Sequence, residues 1–317
     1  MSYICVENQF KQINMKRFKG MITAPFTGFT DNGGVDLQKV ALQQQYYKDN
    51  NIKGVFICGS TGEAPSLTME EKKSLFKEWA KYRTDDFAVI AFLGGTSVKE
   101  CSELARYAQE CELDAVAVTA PYYFKPSSVD ALCEFCRQVA LATPDMPFFY
   151  YHIPCLTGVN FSMYELLQKM DVVIPNLAGL KYTFENLMDY QLCLNFKDRK
   201  YNIMWGRDEM LLSALVLGAE AYVGSTYGYN APVYTAIIDH FNKGEWQQAA
   251  DLQLTANKLI EMLGKYGNGC GKAFMKLAGM DLGPTRSPLN QMNDEQIKAL
   301  RADLDLLSFD QYKCKFK

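Results

Sequence analysis

The chain has 317 residues, 48% of them hydrophobic and 13% aromatic, enough to bury the core of one large or two ordinary domains. Its 33 basic and 36 acidic side chains are well mixed and leave a net charge of −3, which excludes the electrostatic footprint of a nucleic-acid or acidic-membrane binder. The opening MSYICVENQFKQINMKRFKG has no apolar core behind a basic start, and no run of about eighteen apolar residues occurs, so the sequence reads as soluble, unsecreted and cytoplasmic.

Residues 1–17 match no element and read as an N-terminal extension. From Gly20 to about His240 short apolar runs alternate with amphipathic segments, and no Ser/Pro-rich linker divides them. The strand-like runs are GMITAPF, KGVFICG, FAVIAFLGG, DAVAVTAP, MPFFYY, LAGLKYT, YNIMWG and EAYVGST. Helical patterns lie between them. In TMEEKKSLFKEWAKY, Thr68 stands as an N-cap with Glu71 three residues on, the capping-box spacing. Continuous apolar strands are buried on both faces, and about eight βα units is the count that closes a barrel. The expected fold is therefore a (β/α)8 TIM barrel over 18–243. A C-terminal helical extension over 244–317 follows, packed on the barrel and suited to packing or oligomer contacts.

Ten cysteines are scattered through apolar and helical segments of a long chain, which fits a reducing cytosol better than a disulfide framework. Cys133 and Cys136 have C-x-x-C spacing but lie inside a helical pattern without a second pair, so they read as buried thiols. The only histidines are His152 and His240, which limits histidine acid–base chemistry and His-rich metal sites. Neither G-x-G-x-x-G nor G-x-x-x-x-G-K-[ST] occurs.

In such a barrel the site occupies the C-terminal ends of the strands. Unusual polar residues collect there: GSTGEA after the second strand, APYYFKP with Tyr122 and Tyr123 after the fourth, YYHIPCLTG after the fifth, GLKYT, WGRDE and GSTYGYN after the last three. Strand alternation puts Lys181 and Thr183 on one side and Leu180 and Tyr182 on the other. An isolated lysine at a strand end usually snorkels to water. Here hydroxyls, carboxylates and glycines gather around it and favour a buried amine, which would be neutral and nucleophilic near neutral pH. The glycines around Ser60 and Thr61 suit a turn whose N–H groups meet a small carboxylate, although an ordinary Gly-rich turn has the same appearance. Tyr151 shares a strand face with Phe149 and alone would read as a core aromatic; the pairing with Lys181 marks it as a proton carrier. A lysine, a tyrosine and a keto acid suffice for Schiff-base chemistry, with no metal or organic cofactor required.

The motifs GSTGE, YYHIP, GLKYT and GSTY, in this order on eight βα units, resemble the class I aldolase family of N-acetylneuraminate lyase and dihydrodipicolinate synthase. FFYYHIPCLTGV, LLSALVLGAEAYVGSTY and LGPTRSPL are similar to its vertebrate-type lyase branch. The resemblance implies a reversible aldol cleavage of N-acetylneuraminate to pyruvate and N-acetylmannosamine. Lys181 would form the imine and Tyr151 would shuttle the proton. Ser60 and Thr61 would hold the keto-acid carboxylate, while Thr183, Gly206, Asp208, Glu209 and Ser225 would line the sugar-chain end. It further implies a homotetramer in which Tyr123 reaches a neighbouring subunit's site.

Dihydrodipicolinate synthase, or another pyruvate-dependent sugar-acid aldolase, is the nearest alternative. The synthases carry an arginine where this chain has Leu156. A non-catalytic sugar-acid binding protein is the alternative of a different class. Two departures stand out: Arg207 in WGRDE, where relatives have an uncharged residue, and the residues after the tyrosine of GSTYGYN, both of which would alter preference among sialic acids. His152 follows Tyr151 and is expected to face away from it.

Overall fold

The structure is a computed structural model that describes residues 17–267 and 269–317; of the expected extension over residues 1–17, all but Arg17 lies outside the described residues. Eight strands alternate with helices. In chain order they are β1 (Gly20–Thr23), α1 (Gln38–Asp49), β2 (Gly54–Ile57), α2 (Met69–Ala80), β3 (Ala88–Gly94), α3 (Val98–Glu110), β4 (Ala115–Thr119) and α4 (Val129–Ala140). The second half comprises β5 (Phe148–His152), α5 (Pro154–Thr157), α6 (Met163–Val173), β6 (Leu177–Tyr182), α7 (Leu187–Asn195), β7 (Asn202–Trp205), α8 (Leu211–Val216), β8 (Ala221–Gly224) and α9 (Tyr227–Asn242). Then come α10 (Trp246–Tyr266), α11 (Cys270–Leu277), α12 (Asp294–Leu306) and α13 (Phe309–Tyr312). The strands form one closed parallel barrel in sequence order, sealed where β1 pairs β8 from Gly20↔Ala221 to Thr23↔Gly224. This is the TIM barrel that the eight apolar runs predict.

Alternation along each strand divides the core into two layers. Ile22, Phe56, Ile90, Ala117, Phe149 and Met204 fill the barrel interior. Val55, Val89, Val116, Tyr150, Leu180 and Trp205 belong to the larger layer between barrel and helices. Phe18 closes the end of the barrel away from the site: its N–H donates to Asn202 Oδ1 at 2.9 Å, and its ring lies 5.8 Å from Phe149.

One departure from strict alternation positions the chemistry. Phe148 pairs with Leu177 but Phe149 pairs with Gly179, so Ala178 is an extra residue on β6. This bulge lets both Ala178 and Lys181 face the interior, which a regular strand would forbid. The register that follows sets Tyr151 opposite Lys181 and His152 opposite Tyr182.

The capping box at α2 forms as its spacing requires: Thr68 Oγ1 accepts from the Glu71 N–H at 3.2 Å, and Glu71 Oε2 accepts from the Thr68 N–H at 2.9 Å. Such a cap contributes about 1 kcal/mol. Cys133 and Cys136 lie buried on α4, and burial raises both thiol pKa values, so neither is a reactive thiolate. The chain end is fastened to the barrel wall. Tyr46 on α1 donates to the Cys314 carbonyl at 3.0 Å, and the Ala231 N–H on α9 donates to Cys314 Sγ at 3.2 Å. Among the described residues no helix is long and apolar enough to cross a membrane.

Candidate active site

At the C-terminal end of the barrel a cavity of about 250 Å³ is lined by Lys181 and Tyr151, with Ser60 and Thr61 on one side. Thr183, Gly206, Asp208, Glu209 and Ser225 complete its wall. Nine of the ten residues singled out from sequence thus meet in one place. Tyr123 does not: it stands on the loop after β4, 79% exposed and outside its own chain's cavity.

Lys181 is 4% exposed, and its Nζ lies 4.0 Å from the ring centroids of both Phe56 and Tyr151. Burial lowers its pKa from 10.5 to about 7, while the charge of Asp208 pulls the other way. Around half of the amine is therefore neutral at pH 7. Tyr151 packs edge-on against Phe56 and Phe92, and burial pushes its phenol up to about 12. The Ser60 and Thr183 hydroxyls beside it favour the phenolate and oppose that rise. Thr183 Oγ1 nevertheless closes no hydrogen bond of good geometry and is left buried with a free valence. A strand carbonyl anchors the tyrosine: Thr119 Oγ1 donates to the Tyr151 carbonyl at 2.9 Å.

Asp208 is the buried carboxylate of the site. Its Oδ2 accepts from the Thr226 N–H at 2.9 Å and from Thr226 Oγ1 at 2.6 Å, whereas Oδ1 has no partner. Burial raises its pKa to about 6, against the pull of the two Thr226 contacts. The tight fit explains two glycines. A Cβ at Gly224 would stand 1.7 Å from Asp208 Oδ1, and one at Gly206 would stand 1.9 Å from Thr183 Oγ1.

Arg207 lines the same cavity, but its guanidinium is already committed: it pairs with Glu185 of the loop after β6 and with Glu209 at 3.1 Å. Leu156 on α5 is 62% exposed. It borders a neighbouring cavity of about 370 Å³ that shares Ser60, Tyr151 and Ile153 with the first and lacks Lys181. His152 faces outward, as alternation requires. Its ring lies against Tyr182 and Phe184, neither ring nitrogen has a partner, and burial lowers its pKa to about 4.

Three features escaped the sequence. Ile260 and Leu263 of α10 line the cavity, so the C-terminal extension contributes to the site wall as well as to packing. Gln253 of the same helix donates to the Asp208 carbonyl at 3.2 Å. Thr226, within GSTYGYN, holds the Asp208 carboxylate. The GST motif could have flagged Thr226; the amphipathic pattern of α10 carries no such signal.

A lysine with a free amine pair beside a phenol, hydroxyls and a buried carboxylate is an arrangement for carbonyl chemistry through an imine. Residues 17–307 match the model of the dihydrodipicolinate synthetase family. The chain is 36% identical over 301 residues to N-acetylneuraminate lyase A of Xenopus laevis, covering 92% of this chain and 98% of that protein. It is 36% identical over 307 residues to N-acetylneuraminate lyase of Homo sapiens, with 94% and 96% covered. Among solved structures it is similar to Proteus mirabilis N-acetylneuraminate lyase, with a TM-score of 0.89, 34% identity, and 93% and 100% of the two chains covered. With the fold, the lysine site and these relatives in agreement, the chain belongs to the dihydrodipicolinate synthetase family.

Proposed function

We propose that this protein is an N-acetylneuraminate lyase, a class I aldolase that cleaves N-acetylneuraminate reversibly to pyruvate and N-acetylmannosamine. The observation that carries the proposal is the buried Lys181 amine, lowered to about 7 and lying 4.0 Å from the Tyr151 ring in a cavity rich in hydroxyls. Relatives bearing that name, at 36% identity over most of the chain, support the substrate.

The neutral Lys181 amine attacks the keto carbon of the open-chain sugar acid, and loss of water gives an iminium. Ser60 and Thr61 hold the adjacent carboxylate. The iminium draws electrons from the neighbouring carbon–carbon bond. As that bond breaks, the hydroxyl proton on the departing carbon passes to Tyr151, the new aldehyde leaves, and an enamine remains on Lys181. Tyr151 starts as a phenol, because its pKa stands near 12. During imine formation the phenol gives its proton to the departing hydroxyl, which leaves as water, and the iminium charge beside the ring favours the phenolate that results and that then accepts the proton. Returning that proton to the enamine carbon regenerates an iminium, and water releases pyruvate and the free lysine. Thr183, Gly206, Asp208, Glu209 and Ser225 line the end of the cavity that takes the polyol chain. The same reading makes the enzyme a cytoplasmic homotetramer in which Tyr123 reaches a neighbour's cavity. The described cysteines, all unpaired, and the exposure of Tyr123 support it.

A dihydrodipicolinate synthase needs a cation for the second carboxylate of its short aldehyde. Leu156 supplies none, and the Arg207 guanidinium is neutralised by Glu185 and Glu209. The test is to incubate the purified protein with N-acetylneuraminate and follow pyruvate and N-acetylmannosamine. Stoichiometric release of both is expected, with little condensation of pyruvate and aspartate semialdehyde. Efficient condensation of the semialdehyde with no cleavage of N-acetylneuraminate would overturn the substrate assignment.

A further inference from the structure

The turn that carries Ser60 and Thr61 is held from behind by charges that take no part in the chemistry. Glu63 closes the turn, its N–H donating to the Ser60 carbonyl at 3.1 Å, and it holds a left-handed backbone, φ 60°, without being glycine. Its side chain is only 2% exposed, and Oε1 lies 3.0 Å from the ammonium of Lys272 on α11, itself 5% exposed. Oε2 accepts from the Arg286 N–H at 2.8 Å. Lys272 also donates to the Pro284 carbonyl at 2.5 Å. Lys272 and Arg286 stand over the Phe29 ring at 4.1 and 4.3 Å, so one aromatic from the loop after β1 backs both cations. Arg286 then forks onto Glu71 of α2, with contacts of 2.8 and 2.5 Å, and donates to the carbonyls of Gly33 and Ser66. A buried ion pair is a poor source of stability but fixes geometry, because breaking it leaves a lone buried charge.

We propose that Glu63, Lys272 and Arg286 are positioning residues for the keto acid: Glu63 ties the Ser60–Thr61 turn to Lys272 of α11 and to Arg286 of the loop that follows α11, at the spacing that receives the carboxylate. The proposal rests on the reading that Ser60 and Thr61 hold that carboxylate. None of the three braces touches a reacting atom. Removing the Lys272 amine leaves the Glu63 carboxylate buried without a countercharge, held only by the Arg286 N–H, and its escape toward water must drag a backbone only two and three residues from Thr61 and Ser60. A displacement of that kind weakens substrate capture while leaving the Lys181 amine and its surroundings intact.

The experiment measures borohydride trapping of the full-length protein over a series of pyruvate concentrations and pH values. In Lys272→Met the half-saturating pyruvate concentration is expected to rise about tenfold or more, since misplacement on the order of 1 Å at a site costs up to about a hundredfold. The trapping rate at saturating pyruvate and its pH midpoint should stay close to those of the unaltered protein. Glu63→Gln combined with Lys272→Met buries no lone charge and serves if the single variant does not fold; it too should raise half-saturation. Unchanged half-saturation in either folded variant, or a joint loss of maximal rate and pH midpoint, overturns the proposal. Failure of the unaltered protein to be trapped at all would instead overturn the reading of Lys181 itself.

Discussion

Replacing Lys181 by methionine should abolish catalysis and stabilise the fold. The amine is neutral in the folded protein above about pH 7, whereas in the unfolded chain it keeps its proton up to about 10.5. Between those values the unfolded state binds more protons than the folded state, so the contribution of Lys181 to stability rises with pH across that window. Below pH 7 its deficit is complete. At 1.36 kcal/mol per decade the fall from 10.5 to about 7 corresponds to roughly 4–5 kcal/mol of destabilisation. Contacts with the Phe56 and Tyr151 rings at 4.0 Å favour the ammonium and offset about 1–2 kcal/mol of that. Methionine keeps the apolar stem against both rings and removes the charge. Urea unfolding at a fixed protein concentration should therefore give Lys181→Met an advantage of about 2–4 kcal/mol at pH 7 that shrinks toward pH 10. Equal or lower stability at pH 7, or an advantage that does not change with pH, would refute the buried-amine reasoning.

Tyr151→Phe should still form the borohydride-trapped imine but cleave about a hundredfold more slowly or worse, as expected for loss of one general acid–base group; near-normal turnover removes Tyr151 from that role. Asp208→Asn removes the one carboxylate charge that favours the Lys181 ammonium, so the acid limb of imine trapping should move below pH 7; a limb moving to higher pH contradicts the assigned sign. Leu156→Arg should shift selectivity toward aspartate semialdehyde by roughly ten- to a hundredfold, worth about 1.5–3 kcal/mol for a charge-assisted contact, read as the ratio of the two specificity constants. No shift would place the carboxylate of the semialdehyde elsewhere.

The strands were legible because each is buried on both sides, so KGVFICG and DAVAVTAP show unbroken apolar runs that no surface strand would carry. That Lys181 faces away from Leu180 and Tyr182 follows from alternation, and those two belong to the helix-facing layer. What lies one residue earlier was not legible. The bulge at Ala178 is set by pairing with β5, and an apolar run gives no sign of an extra residue. The same limit applies to the partners of charged residues. Nothing in WGRDE says that Arg207 meets Glu185 on the preceding loop, and nothing in CGKAFMKL says that Lys272 turns inward to Glu63. The first pair forms because β6 and β7 are neighbours in the barrel, the second because α11 meets the turn after β2. The pattern of α10 specifies a helix, yet nothing in it distinguishes Ile260 and Leu263, which line the cavity, from ordinary packing positions.

The most direct measurement of the Lys181 mechanism is the mass of the protein after borohydride reduction in the presence of pyruvate, with the modified residue located by peptide mapping. One reduced pyruvate adduct per chain on Lys181, absent from Lys181→Met, is the expected result. An unchanged mass, or an adduct that persists on another lysine when Lys181 is replaced, would contradict the imine mechanism.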